Sequence, residues 1–390
     1  MNLKSVILNN ILRKRAQRLS LLGMLCLALG LNSCNSIYDD DPNCLHGIAL
    51  RFVYDYHMEK GANSFPANVD CINVFVFDSN GNCVTQFKET SDALRSESYR
   101  MEIPLDNGKY TIIAYGGMAC DHPSFSLKQD WKAPEFIGTN KDVLEVKLPL
   151  DENGVSNKQL HNIEERTGGL FFAQPLEVEL TDKDYSTTYR EETVYMMNDV
   201  NDIQIILQEL DEPDKMDVAD YNFKIIDDNF VLDSKNNPIH IATADYQPYY
   251  LPYGTDNRIT GAATNAKSNI TQPLEEDEQK KVQVACAEFS TSRLFHNEDY
   301  SHITSARLIV TSNKETENDG TPKVIINIPL IEYLLLVRGL GDSWIKSDQE
   351  FLDRQSRWTL MFFLTEGKWI EANVSVNNWI VRINNAELGL

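Results

Sequence analysis

Cys34 lies just after a short apolar run, a position at which a thiol can be processed. The run "LSLLGMLCLALGL" covers residues 19–31, and the 18 residues before it hold five basic side chains and no acidic one. A membrane-spanning helix needs about 20 apolar residues, so this shorter run behind a basic segment predicts a secretory signal peptide. The following "LNSC" has the form of a bacterial lipobox and predicts cleavage between Ser33 and Cys34.

Lipid attachment at Cys34 would hold the chain on a membrane. The thiol would carry a diacylglyceryl group and the new N-terminus an acyl chain such as palmitate. Because a single chain binds only marginally while two or more anchor stably, this arrangement predicts a lipoprotein. The alternative is a soluble secreted protein with an incidental cysteine at this position.

The remaining cysteines do not form a metal-binding pattern. None of them are in C-x-x-C spacing, so neither a zinc site nor a thioredoxin-like motif is predicted. Outside the cytosol they allow one or two disulfides, whereas buried free thiols are an equally good interpretation, and the pairing stays open. The five cysteines that follow Cys34 are Cys44, Cys71, Cys83, Cys120 and Cys286.

The motifs of common hydrolases, nucleotide-binding proteins and metalloproteases are absent from the sequence. The S-x-x-K motif at Ser343–Lys346 lacks the K-T-G of penicillin-recognising enzymes. The acidic "DSNGN" that starts at Asp78 lacks the glycine position of a calcium loop and is typical of a turn. We therefore expect no catalytic residue, no metal site and no cofactor, and we predict that the protein is not an enzyme.

The chain is strongly acidic. Its 390 residues carry 58 acidic and 36 basic side chains, a formal net charge of −22. Phosphate binding needs clustered Lys and Arg, so we expect no nucleic-acid partner. A hydrophobic content of 42% is that of a globular chain, and this length predicts two or three domains.

Alternation of apolar and polar residues predicts β-strands along most of the chain. "CINVFVFDSNG" with the following "CVTQF" predicts a hairpin over 71–87, and "YRMEIPLDNGKYTIIAYGG" predicts another over 99–117 around its D-N-G turn. A third hairpin is predicted around "TEGK" near the C-terminus, followed by one more strand. "IEYLLLVRGL" at 331–340 breaks the alternation and predicts a short helix.

Many short strands separated by frequent turns predict a mainly β fold of two tandem β-sandwiches. The polar stretch "TDKDYSTTYREE" predicts the boundary between them. The predicted organisation is a signal peptide at 1–33, an acidic tether at 34–45, an N-terminal β-sandwich at 46–182 and a C-terminal β-sandwich, with the short helix, at 187–386.

Four tryptophans near the C-terminus allow an alternative function. Tryptophan in a strand usually fills the core, but an exposed set could form a platform for sugars. The alternative is a glycan-binding cell-surface lipoprotein that uses Trp344, Trp358, Trp369 and Trp379.

The order of several segments is similar to that of a known family. After the lipobox and the acidic tether come "VFVFD", "YGG" and the terminal "QEFLDRQSRWTLMFFLTEGKWIEANVSVNNWIV". Taken together, over nearly the whole mature chain, these segments resemble the FimB-type fimbrial anchor lipoproteins of Bacteroidales, also called fimbrillin-associated anchor proteins.

The resemblance implies an outer-membrane lipoprotein with two transthyretin-like, Greek-key β-sandwiches, exposed on the cell surface at the base of a fimbrium (pilus) and serving cell adhesion. It further implies that the protein anchors the fimbria, helps limit its length, and has a fimbrillin shaft subunit as its partner. Shaft subunits of related fimbriae assemble by strand exchange, which is a form of β-strand addition.

The free C-terminal end of the chain, rather than the resemblance, suggests where such a contact would form. The alternative is that the same residues are simply the last strand of a closed sandwich. The candidate partner strand consists of Trp379, Ile380, Val381, Arg382 and Ile383.

Overall fold

The structure is a computed structural model that describes most of the chain after the tether. The described residues are 45–58, 63–117, 126–127, 136–148, 150, 152–155, 169–212, 215–251, 283–296, 305–338, 344–376 and 379–384. The predicted signal peptide, Ser33, Cys34 and nearly all of the predicted tether lie outside these residues.

The described residues form nineteen β-strands and three short α-helices. The strands are β1 Gly47–Val53, β2 Ile72–Phe77, β3 Cys83–Glu89, β4 Met101–Pro104, β5 Gly108–Gly116, β6 Ser126–Leu127, β7 Val146–Lys147, β8 Phe171–Leu180, β9 Arg190–Asn198, β10 Val200–Glu209, β11 Tyr221–Asp227, β12 Val231–Leu232, β13 Ala244–Tyr246, β14 Ala285–Ser292, β15 Arg307–Thr316, β16 Pro322–Pro329, β17 Arg357–Thr365, β18 Lys368–Val376 and β19 Trp379–Asn384. The helices are α1 Phe65–Asn68, α2 Leu330–Leu335 and α3 Asp348–Arg354.

The strands are arranged in four sheets. A seven-stranded sheet has the order β3-β2-β5-β8-β9-β1-β4, and a five-stranded sheet has the order β14-β10-β17-β18-β19. A four-stranded sheet, β13-β11-β15-β16, and a three-stranded sheet, β12-β7-β6, complete the set. The predicted mainly β fold is therefore confirmed, and α2 lies where the sequence predicts a helix.

Two of the predicted hairpins form as expected. β2 and β3 pair antiparallel across the "DSNGN" turn, from Phe77 opposite Cys83 outward. β17 and β18 pair across Glu366 and Gly367, whose φ angles of 51° and 68° are those of a two-residue hairpin turn. In both hairpins, turn-forming residues flanked by alternating apolar and polar residues were sufficient to predict the pairing.

The hairpin predicted over 99–117 was wrong. β4 lies at the end of the seven-stranded sheet beside β1, while β5 lies between β2 and β8. The main-chain N–H of Leu105, just after β4, accordingly donates to the carbonyl of His46 at 3.2 Å. A D-N-G turn reverses the chain, but which strands pair depends on where each one buries its apolar side chains.

The apolar side chains of the strands account for most of the core. Every residue of β2 is buried, as expected for a strand covered on both faces. β10 instead alternates, and its Ile203, Ile205 and Leu207 are at most 1% exposed. Trp358 of β17 is 2% exposed and packs edge to face on Phe351 of α3, with ring centroids 5.7 Å apart.

The described residues divide into two compact units. The smaller comprises residues 45–49, Glu102–Asn107 and Leu180–Glu192. Within it, the His46 ring contacts the carbonyl oxygens of Leu105 at 2.5 Å and Thr181 at 3.1 Å and stacks on Tyr185. The larger comprises the described residues within 50–101, 108–179 and 193–384. The sandwich boundaries at 182 and 187 stay predictions.

The main chain approaches itself closely at Gly117, within the larger unit. Gly117 has a φ of +74°, and a Cβ there would lie 1.7 Å from the carbonyl oxygen of Gly169. Gly320 has a similar φ of +83° but open space around it. We expect Gly117→Ala to lower the free energy of unfolding by about 3 kcal/mol or more, because a main-chain clash adds to the left-handed strain. Gly320→Ala, with strain alone, should cost about 1 kcal/mol.

Urea denaturation of the two variants and the unchanged chain measures this difference. Equal losses of stability in the two variants would show that Gly169 yields to the added methyl group, and that the close approach does not constrain the fold.

Candidate functional site

The predicted partner strand forms β19 at one edge of the five-stranded sheet. Its pairing with β18 is antiparallel and runs from Val376 opposite Trp379 to Glu371 opposite Asn384. β18 is its only neighbour among the described strands. The outer main-chain groups of β19 therefore have no strand beside them in the part of the chain that the structure describes, which is the geometry that β-strand addition requires.

The strands next to β19 are paired and partly buried. β17 pairs with β18 on one side and with β10 on the other. The pairing of β17 with β10 is parallel and covers eight residue pairs, from Asp202 opposite Arg357 to Glu209 opposite Leu364. Ala372 and Val374 of β18 are fully buried. Among the described strands, β19 is thus the outermost strand of a sheet whose inner strands are paired on both sides.

The described tryptophans are engaged with the protein itself. The buried Trp358 donates its Nε1–H to Oδ1 of Asn201 at 3.0 Å. Trp369 packs edge to face on Phe362 at 5.8 Å, and the guanidinium of Arg354 lies 4.9 Å from the centre of the Trp344 ring. These contacts favour packing roles over a sugar platform. The side chain of Trp379 lies outside the described part of the structure.

Four polar residues far apart in sequence form a buried network. Arg293 donates from Nε and Nη2 to the two carboxylate oxygens of Asp353 at 2.7 and 2.8 Å. Its Nη1 donates to the carbonyl of Asn236 at 2.6 Å, and Nδ2 of Asn236 donates to Oδ1 of Asp199 at 2.9 Å. Each of the four is at most 8% exposed. Bidentate pairing of this kind is what makes a buried charge pair tolerable.

Asp199 is the least satisfied member of this network. It lies between β9 and β10 and is fully buried, and its Oδ2 has no hydrogen-bond partner. Burial raises the pKa of Asp199 to about 7, against the opposing effects of the Arg293 charge and the Asn236 hydrogen bond. A buried carboxyl that favours its neutral form in this way follows from the cost of desolvating a charge.

Sequence reasoning missed this network, and the reason is clear. Its members come from four separate segments, and no spacing links them. One local signal existed in "DSKNN" at 233–237, which forms a turn in which Asn236 has a φ of +66°. Asparagine tolerates that conformation better than most residues, so the turn was predictable, although its contact with Asp199 was not.

The cysteines divide into two kinds. Cys71 is disulfide-bonded, while Cys83 and Cys286 are buried free thiols. Burial raises the pKa of the Cys83 thiol to about 11, so it is a packing residue with little nucleophilic character. Cys44 and Cys120 lie outside the described residues.

The described residues of and next to the S-x-x-K motif have structural roles. Ser347 caps α3, its Oγ accepting from the N–H of Glu350 at 3.0 Å, and the N–H of Lys346 donates to the Glu350 carboxylate at 2.9 Å. Ser343 lies outside the described residues. Within the described ranges, no group of three or more His, Cys, Asp and Glu side chains is placed to hold a metal ion. No helix in those ranges is both long enough and apolar enough to cross a membrane.

The fold places the chain in a class of mainly β proteins that have solved bacterial relatives. A candidate adhesin of Bacteroides thetaiotaomicron has a crystal structure that matches with a TM-score of 0.69 and 36% identity, over 89% of this chain and 100% of that one. The chain belongs to the family described as fimbrillin-A associated anchor proteins Mfa1 and Mfa2, whose model matches residues 40–385. The resemblance seen in the sequence is therefore confirmed.

Two further relatives come from Porphyromonas gingivalis. The minor fimbrium anchoring subunit Mfa2 is 32% identical over 102 residues, a stretch that covers 26% of this chain and 31% of the length of that relative. The solved structure of the fimbrial anchor protein Mfa2 has a TM-score of 0.56 and 17% identity, over 86% of this chain and 98% of that one, which is a likeness of fold.

Asp199 gives the structure a specific pH dependence. Its pKa is about 7 in the folded protein and about 3.9 in an unfolded chain, so the folded state binds the extra proton. The contribution of Asp199 to stability is then greatest at acidic pH and is lost as pH rises towards 7. We expect Asp199→Asn, which stays neutral, to gain stability relative to the unchanged chain between pH 5 and pH 8.

Urea denaturation of both proteins at pH 5 and at pH 8 measures this gain in unfolding free energy. The comparison between the two proteins cancels the many other carboxylates. An equal change in unfolding free energy for both proteins would mean that Asp199 is ionised throughout this range.

Proposed function

We propose that this chain is an outer-membrane lipoprotein that anchors the base of a fimbria to the cell surface and helps limit its length. The observation that carries the anchor role is the family match over residues 40–385. Cys34 lies just before that region, directly after the predicted signal peptide. Lipid chains on Cys34 would supply the membrane attachment, because two or more chains hold a protein stably at a bilayer.

The proposed partner is a fimbrillin shaft subunit, bound by β-strand addition at β19. The support is geometric: β19 has β18 on one side and no described strand on the other. A strand of the partner would pair with the outer main-chain groups of Trp379, Ile380, Val381, Arg382 and Ile383. Main-chain hydrogen bonds would supply affinity, and alternate side chains would supply specificity.

Replacing the lipidated residue tests the anchor. In the bacterium that carries this chain, we expect Cys34→Ser to leave the protein without lipid, so that it and the attached fimbriae appear in the culture medium. The matched control is Cys26→Ser, because Cys26 is the other cysteine of the N-terminal region and lies within the apolar run. Acyl-group mass spectrometry of the N-terminal peptide and electron microscopy of the cells are the measurements.

The proposal fails if cells with Cys34→Ser keep fimbriae of normal number and length on their surface. Deleting the whole chain addresses length control directly, since longer and detached fimbriae are expected.

Truncation tests the contact at β19. A chain that ends after Val376 lacks this strand, whereas one that ends after Asn384 keeps it. We expect the first to lose at least about tenfold in affinity for the purified shaft subunit, since its main-chain pairing surface is gone. The second should bind as the full chain does. Equal binding by both truncated chains, each shown to be folded by circular dichroism, would rule out strand addition at this edge.

A further inference from the structure

A cavity of about 540 Å³ is lined by residues of the larger unit. Strands β8 and β9 and the turn at residues 235–237 contribute to its lining. The volume lies within the range of about 300–1,000 Å³ that is usual for small-ligand sites. We call this cavity the Tyr195 pocket, after the exposed tyrosine that lines it.

The buried polar side chains of the Tyr195 pocket hold one another in place. Asn236, Arg293 and Asp353 line it and are at most 8% exposed. Arg293 is paired with Asp353 through two hydrogen bonds, so neither charge is available to hold an ionic ligand. Side chains fixed in this way need little reordering when a ligand binds, which favours affinity.

A second set of polar side chains lines the pocket and has no hydrogen-bond or ion-pair partner within the described residues. The set offers a carboxylate, an ammonium group, two amides and a hydroxyl, so donors and acceptors are both present. Its members are Asp55, Gln174, Thr193, Lys235 and Asn237.

Tyr195 adds an aromatic surface to these polar groups. Its neighbours on β9, Val194 and Met196, are at most 2% exposed, and alternate residues of a strand point to opposite faces. Tyr195 is 60% exposed, more than any other large apolar side chain in the described residues. A tyrosine in this position presents a flat apolar ring next to a hydroxyl group.

Together these features select an uncharged ligand that is rich in hydroxyl groups. The charged side chains that line the pocket cancel in number, Asp55 and Asp353 against Lys235 and Arg293. A purely apolar ligand would bury the polar groups without partners, which costs free energy. A sugar satisfies both kinds of surface, because its hydroxyl groups donate and accept hydrogen bonds while its C–H face packs on an aromatic ring.

We propose that the Tyr195 pocket binds a neutral oligosaccharide. One sugar ring packs on Tyr195, and its hydroxyl groups bond to Asp55, Gln174 and Asn237. This binding function is separate from the anchor role and from the contact at β19. The site also differs from a tryptophan platform, because none of the described tryptophans lines the pocket.

Binding of the purified chain to an array of neutral and acidic oligosaccharides tests the ligand class. The array carries mucin-type host glycans and oligosaccharides released from the surface of the bacterium itself, so the members that bind identify the source. We expect binding to neutral members and none to sulfated or sialylated ones. Binding to acidic members alone, or to no member, would overturn the proposal and leave the anchor role intact.

A matched pair of substitutions locates the site. Tyr195 and Tyr250 are 60% and 40% exposed, and only Tyr195 lines the pocket. For the tightest-binding array member, we expect Tyr195→Ala to raise the Kd by about tenfold or more in titration calorimetry, since the ring contact is lost. Tyr250→Ala should leave the Kd unchanged. Unchanged affinity of Tyr195→Ala, or equal losses in both variants, would place the sugar elsewhere.

Chemical footprinting gives a measurement that needs no substitution. Lys235 lines the pocket, whereas Lys183 is equally an exposed lysine but does not line it. We expect a saturating concentration of the same sugar to slow reductive methylation of Lys235 severalfold and to leave Lys183 unaffected, as read by mass spectrometry. An unchanged rate at Lys235 in the presence of bound sugar would overturn the assignment of this pocket.

Discussion

The parallel pairing of β10 with β17 is the interaction on which the C-terminal part of the structure depends. It joins Asp202 to Arg357 and continues for eight residue pairs, so it closes a loop of more than 150 residues. β18 and then β19 are added outward from β17. Without this pairing the C-terminal hairpin would have no sheet to extend, and β19 would not be an edge strand held in a fixed place.

The buried network around Arg293 shows a second constraint. Its charges are paired and its geometry is bidentate, yet Asp199 keeps one oxygen without a hydrogen bond. A fully apolar arrangement would be expected to cost less. The network instead joins the β9–β10 connection to the turn at Asn236 and, through Asp353, to α3. It therefore specifies how these segments meet, which apolar contacts alone do less selectively.

Local patterns predicted much of the fold and part of the candidate site. Alternation and turn residues were enough for the β2–β3 and β17–β18 hairpins, because both partners lie within a few residues of the turn. The same reasoning failed at 99–117, where β4 and β5 flank a good turn and still pair elsewhere. The terminal strand was predicted from its own residues, but nothing local indicated that β18 would be its one neighbour among the described strands.

The sequence by itself determined that this chain is mainly β and where most of its strands lie, because those properties depend on residues close together in the chain. It also determined the family, through the order of short segments along nearly the whole chain. Only the tertiary structure decided which strands are neighbours, that β19 is an edge among the described strands, and that Asp199 meets Asn236. Partners distant in sequence are chosen by which arrangement buries the most apolar surface while satisfying the main chain, and that choice is made by the whole chain at once.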